Sequence, residues 1–545
     1  MTSHTTLRLA APSVDAPPVD ERPWKSIAWT GERSQDGWAW DQELIVDLFA
    51  GGGGASQALE EAYGQPVTLA VNHDPHAIAM HRLNHPNTWH FLSDVWEVTP
   101  TEACGGIRPY VLWGSPDCAH FSRAKGCATR QDKIRGLAWV IVRWAKEVRP
   151  RQIFVENVPE FLTWGPLDDE GKPIKARAGE TFEMWVRALQ ALGYQVEWCV
   201  LSAAGYGTIT TRTRLYLIAR SDGLPIVWPE ATHWPQPPKR TRRRDHRPVG
   251  HRGSASHRLA RQRKRHARKM DAWRAGRRGR PLHRIAAECI DWSLLGCSIF
   301  ASRDDAKAWA EATGAPGVPN RPLAPNTLAR VAEGLRRFVL EDPNPYVLAR
   351  TDEGLVPLDL VADAELLAVP TLVNTRNGER PGQRPRVRSM REPLPTITAQ
   401  GSQGALAIAW LAKHYKGVIG HSMRQPIGTV TAKDHHSVCF AFLSKYNRTG
   451  SGQSLREPLG TVTSRDRFGL VTVEVNGETY AVVDITLRML TPRELATAQG
   501  FSPDYALIGT RTQQIARIGN SVCPPVAASL LRANAPGPER VEVAA

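Results

Sequence analysis

Short apolar runs and longer stretches with helical spacing alternate between residues 41 and 220. The segments "ELIVDLFA", "VTLAVN", "WHFLSD", "YVLWGSP", "RQIFVENV", "QVEWCVLS" and "RLYLIAR" are rich in β-branched and aromatic residues and predict strands. Between them, "DKIRGLAWVIVRWAKEV" sets Ile134, Leu137, Ala138, Ile141, Val142, Ala145 and Val148 on one helical face, and "TFEMWVRALQALG" repeats the pattern before Gly193. Strand and helix in alternation predict an α/β fold with a doubly wound, mostly parallel sheet. Ligands of such sheets bind beyond the carboxyl ends of the strands, where "DLFAGGGG", "GSPDC" and "ENVPE" converge.

Residues 231–285 are proline-rich and then basic, which marks a boundary, and beyond them the alternation is lost. An internal repeat replaces it: "REPLPTITA" from Arg391, "RQPIGTVTA" from Arg424 and "REPLGTVTS" from Arg456. Each combines Arg, Pro and an aliphatic residue with a Thr-x-Thr run, which predicts stacked β-units in a second domain. The tips after these runs carry Gln400, Ser402 and Gln403, then Lys433, Asp434 and His435, then Arg465, Asp466 and Arg467. Varied polar tips on a repeated scaffold suit the reading of base edges, with Gln403, Lys433 and Arg465 as candidate donors.

Charge sharpens this picture. The chain of 545 residues has a formal net charge of +15, and Lys239 to Arg284 alone holds 19 Lys and Arg against two acids, Asp245 and Asp271. Without an apolar stripe to bury, that segment is either a flexible spacer or a phosphate-contacting linker, and sequence-independent nucleic-acid affinity is the preferred role. The eight cysteines show no paired spacing, which argues against a disulfide framework or a zinc cluster and for a reducing compartment. No apolar run approaches the length of a membrane span or a signal-peptide core, so a cytoplasmic protein with a loose N-terminal tail is expected, without membrane contact or metal.

The chemistry-bearing residues cluster at the predicted strand ends. Gly51 to Gly54 allow close backbone approach to a ligand, and Asp47 before them is placed to accept hydrogen bonds from a cationic or hydroxyl-bearing group. The run matches neither a dinucleotide fingerprint nor a phosphate loop, so a nucleoside cofactor without a phosphate chain fits better. Asn72, Asp74 and Asp94, after the next two strands, are candidates for ribose and adenine contacts, or else turn residues and helix caps. Cys118 and Glu156, with Asn157, would set a nucleophile and an acid in one crevice. Arg212 and Arg214 alternate along a strand and so project from the same side of it.

Taken in order, "DLFAGGGG", "GSPDC", "ENV", "TRTR", "RMLTPRELATAQGF" and "IGNSVCPPVA" resemble the motifs of the DNA (cytosine-5)-methyltransferase family. The resemblance covers roughly residues 41–220 and 485–535 and implies a Rossmann-like, S-adenosylmethionine-dependent methyltransferase sheet with a β-rich target recognition domain. It implies a flexible tail over residues 1–40, a catalytic domain over 41–230, and a basic linker over 231–285. A recognition domain over 286–480, a return to the catalytic fold over 481–535 and a tail over 536–545 complete the division. By the resemblance, Cys118 adds to carbon 6 of cytosine and Glu156 protonates or hydrogen-bonds the ring nitrogen. Arg212 and Arg214 complete the catalytic set. The family motifs extend the cofactor set from Asp47, Gly51 and Gly53 to Phe49, Asn520, Ser521 and Val522. They assign the target base to Pro116, Ser122 and Asn157.

A flipped-out base in double-stranded DNA is the implied substrate, and a monomer with a cognate restriction endonuclease the implied setting. Two departures stand out: Asp117 occupies the position of a second proline, and Thr210 that of a glutamine. Two other readings compete, an RNA cytosine methyltransferase of the same fold and a DNA-binding protein that keeps the fold without catalysis.

Overall fold

A computed structural model of the chain describes residues 44–117, 136–170, 172–235, 279–315, 317–342, 345–352, 354–361, 366–375, 382–399, 404–413 and 478–535, with short pieces at 270–271, 277, 379, 442–445, 453–454, 468–470 and 472–475. The chain divides into two units, residues 1–282 with 499–545, and residues 283–498.

All seven apolar runs of the first unit form strands of one sheet. They are β1 (Ile45–Leu48), β2 (Leu69–Asn72), β3 (Trp89–Leu92), β4 (Val111–Gly114), β5 (Gln152–Asn157), β6 (Gln195–Ser202) and β7 (Thr213–Arg220). The order across the sheet is β3-β2-β1-β4-β5-β7-β6. The first five strands are mutually parallel, and β7 is antiparallel to both β5 and β6. The strands after β1 are added first on one side of it and then, from β4, on the other, so a crevice opens where the order switches, at the carboxyl ends of β1 and β4.

Alternation along β1 assigns its side chains to the two layers. Val46 and Leu48 enter a core with Trp144, Phe161, Trp185 and Leu189, while Ile45 enters the opposite one with Leu59, Val526, Leu530 and Leu531. Each of these larger side chains adds about 1.5–3 kcal/mol by leaving water. The helix Ala138–Glu147 covers the first face and α1 (Gly54–Tyr63), with the helix Pro524–Asn534, the second. The former begins later than its pattern suggested, and Trp144 takes the fully buried position while Val142 is half-buried. Ile134 lies outside the described residues. The helix Glu180–Ala191 is the second amphipathic stretch, and it buries Phe182, Trp185, Val186 and Leu189.

The second unit is antiparallel. Its main sheet runs Gly354–Pro357, Leu348–Thr351, Leu366–Asn374, Gly404–Lys413, Glu478–Met489, Thr472–Val475. The core is small and aliphatic, with Leu367, Val369, Val373, Ala405, Ala407, Ala409, Ile485 and Leu487. Two features differ from the repeat pattern. Residues 396–398, the first Thr-x-Thr run, form no strand, and the ladder is carried by Gly404–Lys413 beyond it. Pro393 and Pro395 have no N–H to give a ladder, which keeps the run out of the sheet. The expected return at residue 481 falls inside the strand Glu478–Met489 of this sheet, and the first unit resumes at 499. The second and third repeats lie outside the described residues. Among the described residues no helix is long and apolar enough to cross a membrane.

Candidate active site

The glycine loop after β1 is a folded device. Phe49 takes the left-handed conformation at φ 66°, a backbone state that costs a non-glycine residue about 1–3 kcal/mol and concentrates at functional sites. Gly53, at φ 82°, closes the turn by donating its N–H to the Ala50 carbonyl at 2.9 Å. α1 then starts at Gly54, whose N–H donates to Ser521 Oγ at 3.1 Å, while Gln499 Nε2 donates to the Ser521 carbonyl at 2.9 Å. Residues far apart in sequence thus hold the loop from behind. A Cβ at Gly54 would sit 2.5 Å from the Val522 carbonyl oxygen and closer still to Ser521 Oγ. Gly54→Ala is therefore expected to destabilise the protein by about 1–3 kcal/mol, read from the midpoint of urea unfolding.

Asp47 is fully buried at the end of β1. Its Oδ2 accepts from Ser56 Oγ at 2.7 Å, whereas Oδ1 has no hydrogen-bond partner among the described residues. Burial pushes its carboxyl up to about 7, with the Ser56 hydrogen bond acting in the opposite direction. A buried carboxylate oxygen without a hydrogen-bond partner among the described residues, beside a glycine-rich loop, has the chemistry to accept from a cationic group. The donor set therefore fits the ammonium end of S-adenosylmethionine.

The other cofactor candidates divide. Asn72 Oδ1, at the end of β2, accepts from the Asp74 N–H at 2.8 Å. Asp74 caps α2 (Pro75–Asn84) by accepting from the His76 N–H at 2.9 Å, and Asp94 is an exposed turn residue that accepts from the Trp96 N–H at 3.0 Å. Asn520 is exposed at the end of the helix Arg511–Asn520, and Val522 is packed in the core. Ser521 and Val522 therefore brace the loop.

At the far side of the crevice, Glu156 ends β5 and is almost wholly buried. Arg214 Nε lies 3.0 Å from Glu156 Oε1 and Arg212 Nη2 lies 3.8 Å from the same oxygen. β7 runs antiparallel beside β5, and this pairing brings the two arginines to the carboxylate. Arg212 also donates Nη1 to the Gly519 carbonyl at 2.7 Å, which joins the site to the residue before Asn520. Burial and then the charge of Arg214 lower the pKa of Arg212, while Glu156 opposes them. Cys523 belongs to the same charged neighbourhood, but burial pushes its thiol up to about 11, so it stays neutral and inert at pH 7.

Asn157 Nδ2 donates to the Pro116 carbonyl at 3.2 Å, and its Oδ1 accepts from the Val158 N–H at 2.8 Å. This buried amide ties the end of β5 to the segment leading into Cys118. Asp117 is exposed. Cys118, Ser122, Gln403, Lys433 and Arg465 lie outside the described residues.

Sequence reading missed Ser56, His81 and Tyr505. Tyr505 donates its hydroxyl to the Gly52 carbonyl at 2.8 Å, and His85 Nε2 lies 3.1 Å from the same hydroxyl. A signal existed for two of the three: Ser56 follows the last glycine by two positions, and His81 and His85 share a helical face at i, i+4 spacing.

Residues 44–276 and 415–534 match the family described as C-5 cytosine-specific DNA methylase. Similar curated proteins are type II methyltransferases: M.AquIA of Picosynechococcus (28% identical over 36% of this chain and 78% of its own length) and M1.HphI of Haemophilus parahaemolyticus (32%, 34% and 48%). M.XorII of Xanthomonas oryzae is 34% identical over 34% of this chain and 43% of its own. The chain thus spans less than half the length of the latter two. Among solved structures, a putative DNA modification methyltransferase encoded within an E. coli prophage matches with 16% identity and a TM-score of 0.39, over 90% of this chain and 98% of that one. With the family's pattern matching residues 44–276 and 415–534, more than half of the chain, the protein belongs to the C-5 cytosine-specific DNA methylase family, the DNA (cytosine-5)-methyltransferases.

Proposed function

We propose that this chain transfers a methyl group to carbon 5 of cytosine within a specific sequence of double-stranded DNA, with Cys118 as nucleophile. The observation that carries the reading is Glu156, buried at the end of β5 with both arginines beside it and joined through Asn157 to the segment leading into Cys118. Carbon 5 of cytosine is not nucleophilic by itself. Addition of the Cys118 thiolate to carbon 6 turns the ring into an enamine, and Glu156 hydrogen-bonds the ring nitrogen as charge builds there. S-adenosylmethionine, when bound, supplies the electrophilic methyl carbon. Once carbon 5 has bonded that methyl carbon, with the pair of the broken carbon–sulfur bond left on the departing thioether, loss of the carbon 5 proton to a base expels the Cys118 thiolate and restores the aromatic ring. A thiol with an ordinary pKa near 8.5 is only a few per cent ionised at pH 7, so cationic groups at the site favour the reactive form.

Asp47, with Phe49, Gly51 and Gly53 shaping the loop, holds the ammonium end of the cofactor, and Asn72 lines the side of the crevice next to it. Ser521 and Gly519 secure the loop and Arg212 from behind. Gln403, Lys433 and Arg465 read base edges, and the basic stretch from Lys239 to Arg284 contacts phosphates. The enzyme acts as a monomer in the cytoplasm, where thiols stay reduced, alongside a cognate restriction endonuclease.

Transfer of labelled methyl groups from S-adenosylmethionine to unmethylated duplex DNA, with base-resolution mapping, tests this reading. Label at carbon 5 of cytosines within one recurring sequence is the expected result. Label on structured RNA and none on duplex DNA would overturn the assigned substrate.

A further inference from the structure

The polar groups behind the glycine loop form one continuous chain. Ser56, in the first turn of α1, spends its single hydroxyl proton on Asp47 Oδ2 whenever that carboxylate is ionised. Ser56 Oγ must then accept from His81 Nε2, 2.9 Å away. This fixes the tautomer of His81, because its proton sits on Nε2 and its bare Nδ1 accepts from His90 Nε2 at 2.8 Å. The four groups come from β1, α1, α2 and β3, and every donor points towards Asp47. Ser56 and His81 are fully buried, so the bonds act in a low dielectric and polarise one another.

Neither histidine competes as a cation. Burial, then His85 and His90, hold His81 well below the ordinary imidazole range, and burial, Arg82 and His85 bring His90 down to about 3. The groups facing the chain are Tyr505 at Asp47, His85 and His90 at His81, and Arg82 and His85 at His90. Both rings stay neutral across the physiological range, and the order of donors persists wherever Asp47 is charged.

We propose that His81 and His90 are positioning residues for the methyl donor, acting through Ser56 to keep the Asp47 carboxylate charged and its bare Oδ1 presented to the cofactor ammonium. The proposal rests on the reading of the glycine loop as the cofactor site. Removing His81 frees the Ser56 hydroxyl to turn away, and the Asp47 carboxyl loses the bond that opposes burial. A larger share of Asp47 is then protonated at pH 7, and protonated Asp47 repays nothing to a bound cation.

The test is calorimetric binding of S-adenosylmethionine and S-adenosylhomocysteine to the full chain between pH 6 and 9, for wild type, His81→Phe, His81→Gln and Asp47→Asn. His81→Phe is expected to bind about fivefold more weakly at pH 7, the effect of a one-unit rise on a carboxyl that titrates at about 7, and to approach wild type by pH 9. His81→Gln keeps an amide N–H for Ser56 and is expected to recover most of the loss. Ser56→Ala, a smaller change, gives the same pH-dependent loss if His81→Phe fails to fold. A weakening of equal size at every pH would reduce His81 to packing and overturn the proposal, as would unchanged affinity in His81→Phe. Wild-type affinity in Asp47→Asn would instead remove the cofactor-site reading, and the proposal with it. Weak binding in Asp47→Asn alone would overturn the proposal and leave that reading intact.

Discussion

Cys118→Ala is expected to abolish methyl transfer while leaving affinity for duplex DNA within about twofold of wild type. No other group in the described crevice can take over the addition to carbon 6. Cys523, which is part of the Glu156 and Arg212 cluster, is fully buried and its thiol is pushed up to about 11. Hydroxyls at the site are far weaker nucleophiles at neutral pH. DNA affinity comes from phosphate and base contacts spread over a much larger surface, so it does not depend on one thiol. Side-by-side methyl transfer and filter binding measure the two quantities, and residual transfer in Cys118→Ala above about one part in a thousand would sink the covalent mechanism.

Asp47→Asn is expected to make the cofactor-free protein more stable and the enzyme far worse. The sign follows from linkage. Burial raises the Asp47 carboxyl to about 7 in the folded state, against about 3.9 for an unfolded chain, so the fold prefers the neutral form. The protein is spared any penalty below the unfolded value, loses stability as pH rises from about 4 to about 7, and carries a constant penalty above that. Asparagine is neutral throughout and escapes it. At pH 8 the variant should gain on the order of 2–4 kcal/mol over wild type, and at pH 4 the two should unfold alike. Affinity for S-adenosylmethionine should fall by about a hundredfold or more, because a cation buried against the loop loses its counter-charge. Chemical unfolding at the two pH values and calorimetry read both effects. Equal stability at pH 8 would mean that water or another group already serves the bare oxygen.

Much of the catalytic fold was legible because its determinants are local. Seven β-branched runs separated by helical stretches became seven strands of one sheet, and its central parallel strands β1, β4 and β5, buried on both faces, demand continuous apolar runs. The strand ends followed from the same pattern, so Asp47, Glu156 and the glycine loop could be assigned to one crevice from spacing alone. The second unit was less legible. Its Thr-x-Thr repeats have strand composition, yet the first follows two prolines and lies outside the ladder, and the sheet is closed by Gly404–Lys413 and Glu478–Met489 pairing across a long separation. Composition reports a preference for extended backbone, whereas membership of a ladder depends on which partner arrives.

Sequence by itself thus determined the order of elements, the residue types at the strand ends and the resemblance of motif order on which the cytosine chemistry rests. Only the tertiary structure decided which of those residues meet. Arg212 and Arg214 reach Glu156 because β7 is inserted antiparallel beside β5, a choice invisible in either strand alone. Asp74 caps α2 and Asp94 holds a turn, while Ser56, His81 and His90, from three separate elements, lined up behind Asp47. The reason is physical: periodicity and propensity act over a few residues, but a buried polar group must find its partner wherever the packed chain brings one.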